Sequence, residues 1–285
     1  MTKPLVSVYI CTYNRAALLK RAVESVLKQD YTHFEIVICS DNSSDSTDNV
    51  IEELKEKHNN IKYYKLDENS GACTARNKAI QNCVGEYITG LDDDDFFEVN
   101  RLSTFIENRG MLENYSFLTS SYRYKTRNRV KDILTDKDVF TMDNIIVGNR
   151  VGNQVFTLRN RITQVGGFDE ALPAWQDYEL WLRLIVNFGP AIRVPSSTYT
   201  IDVSHEHERI SKSTHKIYKA LQVIQQKYNW LEKSRILNEN LELNAYSYPS
   251  SKFNMSLAIN YVKNRGVKST VLIHIKKFLR LTSIF

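Results

Sequence analysis

The sequence predicts an α/β fold on a doubly wound sheet, and three observations carry that prediction. Short β-branched and aromatic runs alternate with amphipathic helical stretches over residues 5–91, the signature of parallel βαβ units. Polar and small-residue clusters follow the strands, at the edge where an open sheet receives its ligand. The fourth strand runs directly into four consecutive carboxylates, Asp92-Asp93-Asp94-Asp95.

The elements follow in order. Residues 5–11 form a compact β-branched run, and residues 16–28 carry Leu19, Val23, Val26 and Leu27 at helical spacing. A strand over 34–39, a helix over 46–57, a strand over 61–66, a helix over 72–82 and a strand over 86–91 continue the alternation. Beyond Asp95 the regularity fades into a helix near 100–109, a strand over 115–124, a charged polar stretch over 125–138 and a strand near 154–158. Tyr178, Leu180, Trp181, Leu184 and Ile185 then mark an amphipathic helix over 177–188, and a helix over 217–228 leads into a helical appendage. No internal repeat is present.

At 285 residues the chain is long enough for one large domain or one domain and an appendage. Its net charge of +5 is mild, but it is unevenly placed. No acid follows Glu242, while Lys252, Lys263, Arg265, Lys268, Lys276, Lys277 and Arg280 do. A helix over 269–285 would put Val271, Leu272, Ile275, Phe278, Leu279, Leu281 and Phe285 on one broad side and Lys276, Lys277 and Arg280 opposite, with Ile273 and Ile284 breaking the pattern. That suits an anionic membrane surface through residues 263–285, or packing onto protein, including a second subunit in a homodimer. No nucleic-acid motif accompanies the basic residues. Cys11, Cys39, Cys73 and Cys83 have no CxxC spacing, so free thiols in a reducing compartment are expected. With neither a signal peptide nor an apolar stretch of membrane-spanning length, the expected location is cytoplasmic, or peripheral on the inner face of the cytoplasmic membrane.

Charges as close as those of the four acids repel, and a strand end tolerates them only when a cation or surrounding donors neutralise them. A hard divalent ion that binds carboxylates and a diphosphate together answers that need; a solvated acidic turn is the plainer reading. The first strand ends in Thr12-Tyr13-Asn14-Arg15 and the second in Ser40-Asp41-Asn42-Ser43-Ser44-Asp45. In a nucleotide-sugar site Asp41 can accept from a uracil imide, while Ser44 or Asp45 caps the following helix. After the third strand, Asn69-Ser70-Gly71 precedes a helix carrying Arg76, placed to reach a base or a phosphate. Neither GxGxxG nor GxxxxGK[ST] occurs, which removes the main support for a dinucleotide dehydrogenase or a P-loop NTPase.

The run 6–15, the Ser40-to-Thr47 loop, Asn69-Ser70-Gly71 with Ala75-Arg76-Asn77, Leu91-Asp92-Asp93-Asp94-Asp95, Gly166-Gly167-Phe168-Asp169 and Gln176-Asp177-Tyr178-Glu179-Leu180-Trp181-Leu182-Arg183 together resemble the family 2 glycosyltransferases over roughly residues 5–210. The resemblance implies a GT-A fold, a Rossmann-like mixed sheet flanked by helices, with a C-terminal helical appendage. It divides the chain into a catalytic domain over 1–215, with a nucleotide-binding half (1–95) and an acceptor-binding half (96–215), and a basic amphipathic region over 216–285.

By the same resemblance, Thr12, Asp41 and Arg76 are expected at uridine, with Tyr13, Asn14 and Arg15 beside them. Asp92 and Asp93 look like the ribose and sugar side of a DxD motif. Asp94 resembles the metal carboxylate for Mn²⁺ or Mg²⁺, with Asp93-x-Asp95 as an alternative register that would make Asp95 the ligand. His205 or His207, in His205-Glu206-His207, is a further candidate ligand, and Arg209 and Ser211 could contact phosphate. Asp177 stands where the family has its general base; acids also favour the first turn of a helix for its dipole alone. The expected reaction is inverting, metal-dependent transfer of a hexose or N-acetylhexosamine from a UDP-sugar to a glycan hydroxyl. The size and basic end look similar to bacterial enzymes extending lipid-linked oligosaccharides for O-antigen, capsule or lipopolysaccharide. A sugar-nucleotide nucleotidyltransferase and a non-catalytic sugar-nucleotide- or glycan-binding subunit are the alternatives.

Overall fold

The computed structural model describes residues 3–133, 138–146, 148–152, 154–205, 214–229, 234–246 and 254–265. The chain divides into two compact units. The first comprises residues 1–142, 150–170 and 180–206, and the second residues 143–149, 171–179 and 207–285.

The first unit is a mixed α/β layer structure. Strands β1 (Val6–Thr12), β2 (Phe34–Ser40), β3 (Ile61–Lys65) and β4 (Tyr87–Asp92) alternate with helices α1 (Ala16–Leu27), α2 (Thr47–Lys55) and α3 (Ala72–Gln81). They pair in the order β3-β2-β1-β4, all parallel. β1 and β2 are almost wholly buried, as expected of parallel strands covered on both faces, which is why they read as continuous apolar runs without alternation. Helix α1 turns Ala16, Leu19, Ala22, Val23 and Val26 inward. Each larger aliphatic side chain among these contributes about 1.5–3 kcal/mol of burial.

The sheet then changes direction. β9 (Phe156–Leu158) pairs antiparallel with β4 and with β6 (Leu118–Lys125), and β6 lies parallel to β10 (Ala191–Asp202). Short strands β5 (Phe96–Phe97), β7 (Val130–Ile133) and β8 (Val139–Phe140) complete a ten-stranded sheet among the described residues. Two of these features go beyond the sequence reading. The charged 125–138 stretch contains β7, which among the described residues pairs only with β6 and is largely exposed, so its polar side chains meet water on an edge. β10, absent from the sequence reading, is interrupted by register shifts between Val194 and Ser197 and again before Tyr199, next to Pro195. Those bulges destroy the two-residue period that would have announced it.

Helices α4 (Arg101–Glu107) and α6 (Arg159–Gln164) flank this half, with the short helix α5 (Met142–Ile145) between them in the chain. Phe105 stacks on Phe156 at 5.0 Å, and Phe156 on Tyr87 at 5.2 Å, joining α4, β9 and β4 through one aromatic column. Helix α7 (Gln176–Phe188) enters the first unit from Leu180 on, where Trp181 packs its ring 5.6 Å from Phe117.

The second unit contains the first turn of α7 and helices α8 (Thr214–Lys227), α9 (Ser234–Tyr246) and α10 (Met255–Arg265). Ile217, Ala220, Leu221, Ile224 and Tyr228 form the buried stripe of α8, at the spacing the sequence predicts for a helix there. All four cysteines are free. No helix among the described residues is long and apolar enough to cross a membrane. The amphipathic stretch expected over 269–285, His207, Arg209 and Ser211 lie outside the described residues.

Candidate active site

Because β1, β2 and β4 are parallel and in register, with Thr12 opposite Ser40 and Cys11 opposite Asp92, their polar ends share one edge of the sheet in the first unit. The four acids turn there: the Asp95 amide donates to the Asp92 carbonyl at 3.0 Å, which sends successive carboxylates in different directions. Each carboxylate meets its own set of partners, with Arg15 shared between Asp93 and Asp94.

Asp92, its side chain 30% exposed, accepts from Arg76 Nη2 at 3.0 Å and from Gln154 Nε2 at 3.2 and 3.3 Å. Asp93 accepts from Thr12 Oγ1 at 2.7 Å and pairs with Arg15 Nη1 at 2.9 Å. Burial pushes the Asp93 carboxyl up to about 6; the Arg15 guanidinium pulls the other way and the Asp94 charge adds to the rise. Asp94 has Arg15 at 3.5 Å and His205 Nε2 at 3.4 Å from the same oxygen, Oδ2. Asp95 is turned inward, accepting from the Tyr199 hydroxyl and the Asp202 amide, each at 2.9 Å.

The strand-end loops around the acids are held by side chains. Asp41 accepts from the Ser70 amide at 2.7 Å and the Gly71 amide at 2.9 Å, so it closes the loop before α3, where Gly71 sits at φ +95°. Asn14, at φ 51°, accepts from the Ser44 amide through Oδ1 and donates its own amide to Ser43 Oγ. Asp45 accepts from the Thr47 amide at the start of α2 and from the Ala16 amide at the start of α1, so the expected cap serves two helices. Tyr13 is exposed.

Asp202 is a part of this edge that the sequence reading missed. Its carboxylate takes Arg21 at 2.6 Å, Lys125 at 3.0 Å and the Ser204 amide at 2.9 Å. Burial would raise its pKa, but the Ser204 bonds, Lys125 and Arg21 hold it down at about 2. Arg21 also donates to the Asp94 carbonyl, tying α1 to the ends of both β4 and β10. The signal was present in Tyr199-Thr200-Ile201-Asp202, another alternating run ending in an acid, three residues before His205.

The donor chemistry around Asp94 suits a hard or borderline divalent cation. A carboxylate and an imidazole converge, and a cation between them would keep positions for diphosphate oxygens, as Mg²⁺ and Mn²⁺ sites in nucleotide enzymes do. Among the described residues no group of three or more His, Cys, Asp and Glu could hold a metal ion.

In the second unit Asp177 stands in the first turn of α7, and its neighbours are fixed. Trp175 takes φ +57° just ahead, the Tyr178 hydroxyl donates to the Ile145 carbonyl at 2.7 Å, and buried Glu179 receives Lys227 at 2.7 Å and the Tyr228 hydroxyl at 3.0 Å.

A family model described as "Glycosyl transferase family 2" matches residues 7–158. A protein of Escherichia coli strain K12 named as a colanic acid biosynthesis glycosyl transferase, WcaA, is 36% identical over 220 residues, covering 75% of this chain and 77% of that protein. Among solved structures, Staphylococcus aureus TarS residues 1–349 in complex with UDP-GlcNAc superposes with a TM-score of 0.62 at 16% identity, over 97% of this chain and 92% of that one. The mannosyltransferase PcManGT of Pyrobaculum calidifontis, in complex with GDP-Man and Mn²⁺, gives 0.62 at 15% identity, over 97% and 88%. At those identities the likeness is one of fold, and that fold is GT-A.

Proposed function

The chain belongs to glycosyl transferase family 2 and is a glycosyltransferase, and from that premise we propose that it transfers a hexose or N-acetylhexosamine, with inversion, from a UDP-sugar to a glycan hydroxyl in bacterial surface polysaccharide synthesis. The observation that carries the donor reading is the acidic end of β4, where four carboxylates are differently oriented towards the loop after β1, Arg76 of α3, His205 and Tyr199 of β10. A lipid-linked saccharide is the acceptor the sequence resemblance favours.

In this reading Thr12, Asp41 and Arg76 surround the uridine, with Tyr13, Asn14 and Arg15 lining its approach, and Asp92 and Asp93 face the ribose and the sugar. Asp94 and His205 are the residues that would hold Mn²⁺ or Mg²⁺. The Asp92-x-Asp94 register is supported over Asp93-x-Asp95 because the Asp95 oxygens serve Tyr199 and the Asp202 amide. When bound, the cation supplies Lewis-acid stabilisation of charge on the leaving diphosphate. Arg15, beside both Asp93 and Asp94, adds a fixed positive charge at the same edge. Inversion requires the acceptor hydroxyl to attack the anomeric carbon opposite the leaving group, and it must lose its proton as the bond forms. Asp177 is the carboxylate to which the resemblance assigns that proton.

The test is nucleoside diphosphate release from a panel of UDP-sugars and GDP-mannose with Mn²⁺, with and without a diphosphate-lipid saccharide acceptor, alongside an EDTA control. Acceptor-stimulated, EDTA-sensitive UDP release from one donor is the expected result. Release from GDP-mannose alone would overturn the uridine assignment, and EDTA-resistant turnover would overturn the metal assignment.

A further inference from the structure

Asp92 is enclosed by a closed circuit of side chains drawn from distant parts of the first unit. The Tyr9 hydroxyl donates to Gln154 Oε1 at 3.1 Å, and Gln154 Nε2 donates to both oxygens of Asp92. Arg76 meets Asp92 from another side and lies 5.2 Å over the ring of Phe168, whose edge meets Tyr9 at 6.2 Å. Phe168 is itself clamped by Asn77, which donates to its carbonyl at 2.9 Å and accepts from its amide at 2.8 Å.

Two features show that the circuit is built in rather than incidental. A Cβ on Gly90, two residues before Asp92, would lie 2.5 Å from the Tyr9 ring and 2.8 Å from Gln154 Oε1, so the strand leaves out a side chain where this pair passes. Gln154 is only 1% exposed, and its carbonyl accepts from Arg101 Nη2 at 2.7 Å. Arg101 is wholly buried, with its guanidinium within 5 Å of the ring centroids of Phe97, Phe105 and Tyr199. The backbone of Gln154 is therefore pinned on one side, and its amide is oriented by the Asp92 carboxylate, which can only accept and so takes the NH₂ end, leaving Oε1 to accept from the Tyr9 hydroxyl.

We propose that Gln154 is a positioning residue for donor binding, holding the Asp92 carboxylate in the one orientation in which its outward oxygen can accept from a vicinal diol such as the donor's ribose. The chemistry of an amide fits this task. A second cation opposite Arg76 would neutralise Asp92 and compete for its lone pairs, whereas an uncharged donor fixes direction and leaves the negative charge for the ligand. The inference rests on the reading of Asp92 as a donor contact.

The experiment is calorimetric titration of the full chain with UDP in the presence of Mn²⁺, for the parent, Gln154→Met, Asp92→Asn and the double variant, with cooperative unfolding checked for each. Gln154→Met keeps the volume and removes both polar contacts. It is expected to weaken UDP binding about tenfold, the scale of one hydrogen bond to a charged group. In the double variant the two losses should not add, because Gln154 acts only through Asp92. Tyr9→Phe, which removes the donor to Gln154 Oε1 without emptying space, should weaken binding to a smaller degree and have no effect in the Gln154→Met background. Additive losses, or Gln154→Met binding UDP like the parent while Asp92→Asn does not, would overturn the positioning role. UDP binding unchanged by Asp92→Asn would instead overturn the reading of Asp92 itself.

Discussion

Tyr199 donates its hydroxyl to Asp95 at 2.9 Å, and the same oxygen accepts from the Asp92 amide at 3.3 Å. One phenol from β10 thus fixes both ends of the acidic run, while its ring packs 5.8 Å from Phe97 and 4.9 Å from the Arg101 guanidinium. Replacing Tyr199 by Phe keeps the ring contacts and removes only the hydroxyl. Both partners lie in the interior, so the loss should be about 1–3 kcal/mol of unfolding free energy. Urea denaturation of the two proteins measures it directly, and an unchanged midpoint would show that water replaces the hydroxyl at no cost.

The donors around Asp94 and Asp95 predict opposite outcomes for neighbouring substitutions. Asp95→Asn replaces a carboxylate that accepts two inward bonds, so stability should fall while Mn²⁺-dependent UDP binding, measured at a temperature where the variant is folded, is largely kept. Asp94→Asn alters a buried carboxylate beside Arg15 and His205, and the folded variant should no longer show enhancement of UDP binding by Mn²⁺. The reverse pattern would assign the metal to the Asp93-x-Asp95 register.

How much of the fold is legible in the sequence depends on range. β1 to β4 and the helices between them were legible because periodicity and strand-end polarity are local properties, and the acid run announced itself by charge density. The partners of those acids were not legible. Tyr9 and Gln154 are 145 positions apart, and Tyr199 and Asp95 are 104 apart, so their meeting depends on strand order and register that no short window contains. Gln154 looked like the start of an ordinary strand, and Asp202 was hidden because β10 itself was disguised by its bulges beside Pro195. Gly90 was visible as a residue, but its reason, the passage of Tyr9 and Gln154 over it, exists only in three dimensions.

Glu35 gives a pH prediction away from the acidic edge. Its side chain, 7% exposed, accepts from Ser7 Oγ and the Val84 amide, both at 2.6 Å, and pairs with Lys62 at 2.8 Å. Burial would raise its pKa, but Lys62, Ser7 and Val84 outweigh it and hold the carboxyl below the usual glutamate range. A folded pKa below the unfolded one contributes stability that is present at neutral pH and lost as pH falls through the folded value. Glu35→Gln should therefore cost about 1–3 kcal/mol at pH 7, and the difference should close as the pH drops below about 4, where the unfolded carboxyl already binds its proton. A gap independent of pH between 7 and 3 would mean that the bonds of Glu35 do not depend on its charge.

Asp177 and Glu179 stand two residues apart in the first turn of α7, and their substitutions should separate chemistry from support. Glu179 is fully buried and anchored by Lys227 and Tyr228, so Glu179→Gln leaves the Lys227 ammonium without its carboxylate and should lower stability by about 1–3 kcal/mol. Lys227 keeps a third of its side chain in water, which limits the loss to that range rather than the larger cost of stranding a buried charge. Asp177→Asn is nearly isosteric and keeps a polar group in the same turn, but an amide cannot take a proton from an acceptor hydroxyl. A general base contributes about 10²–10⁴-fold, so sugar transfer should fall by that factor while UDP affinity and melting temperature stay near the parent values. If transfer persists at more than a tenth of the parent rate, the base lies elsewhere in the chain. If UDP affinity falls in parallel with transfer, Asp177 serves donor binding instead, and the two readouts together tell these outcomes apart.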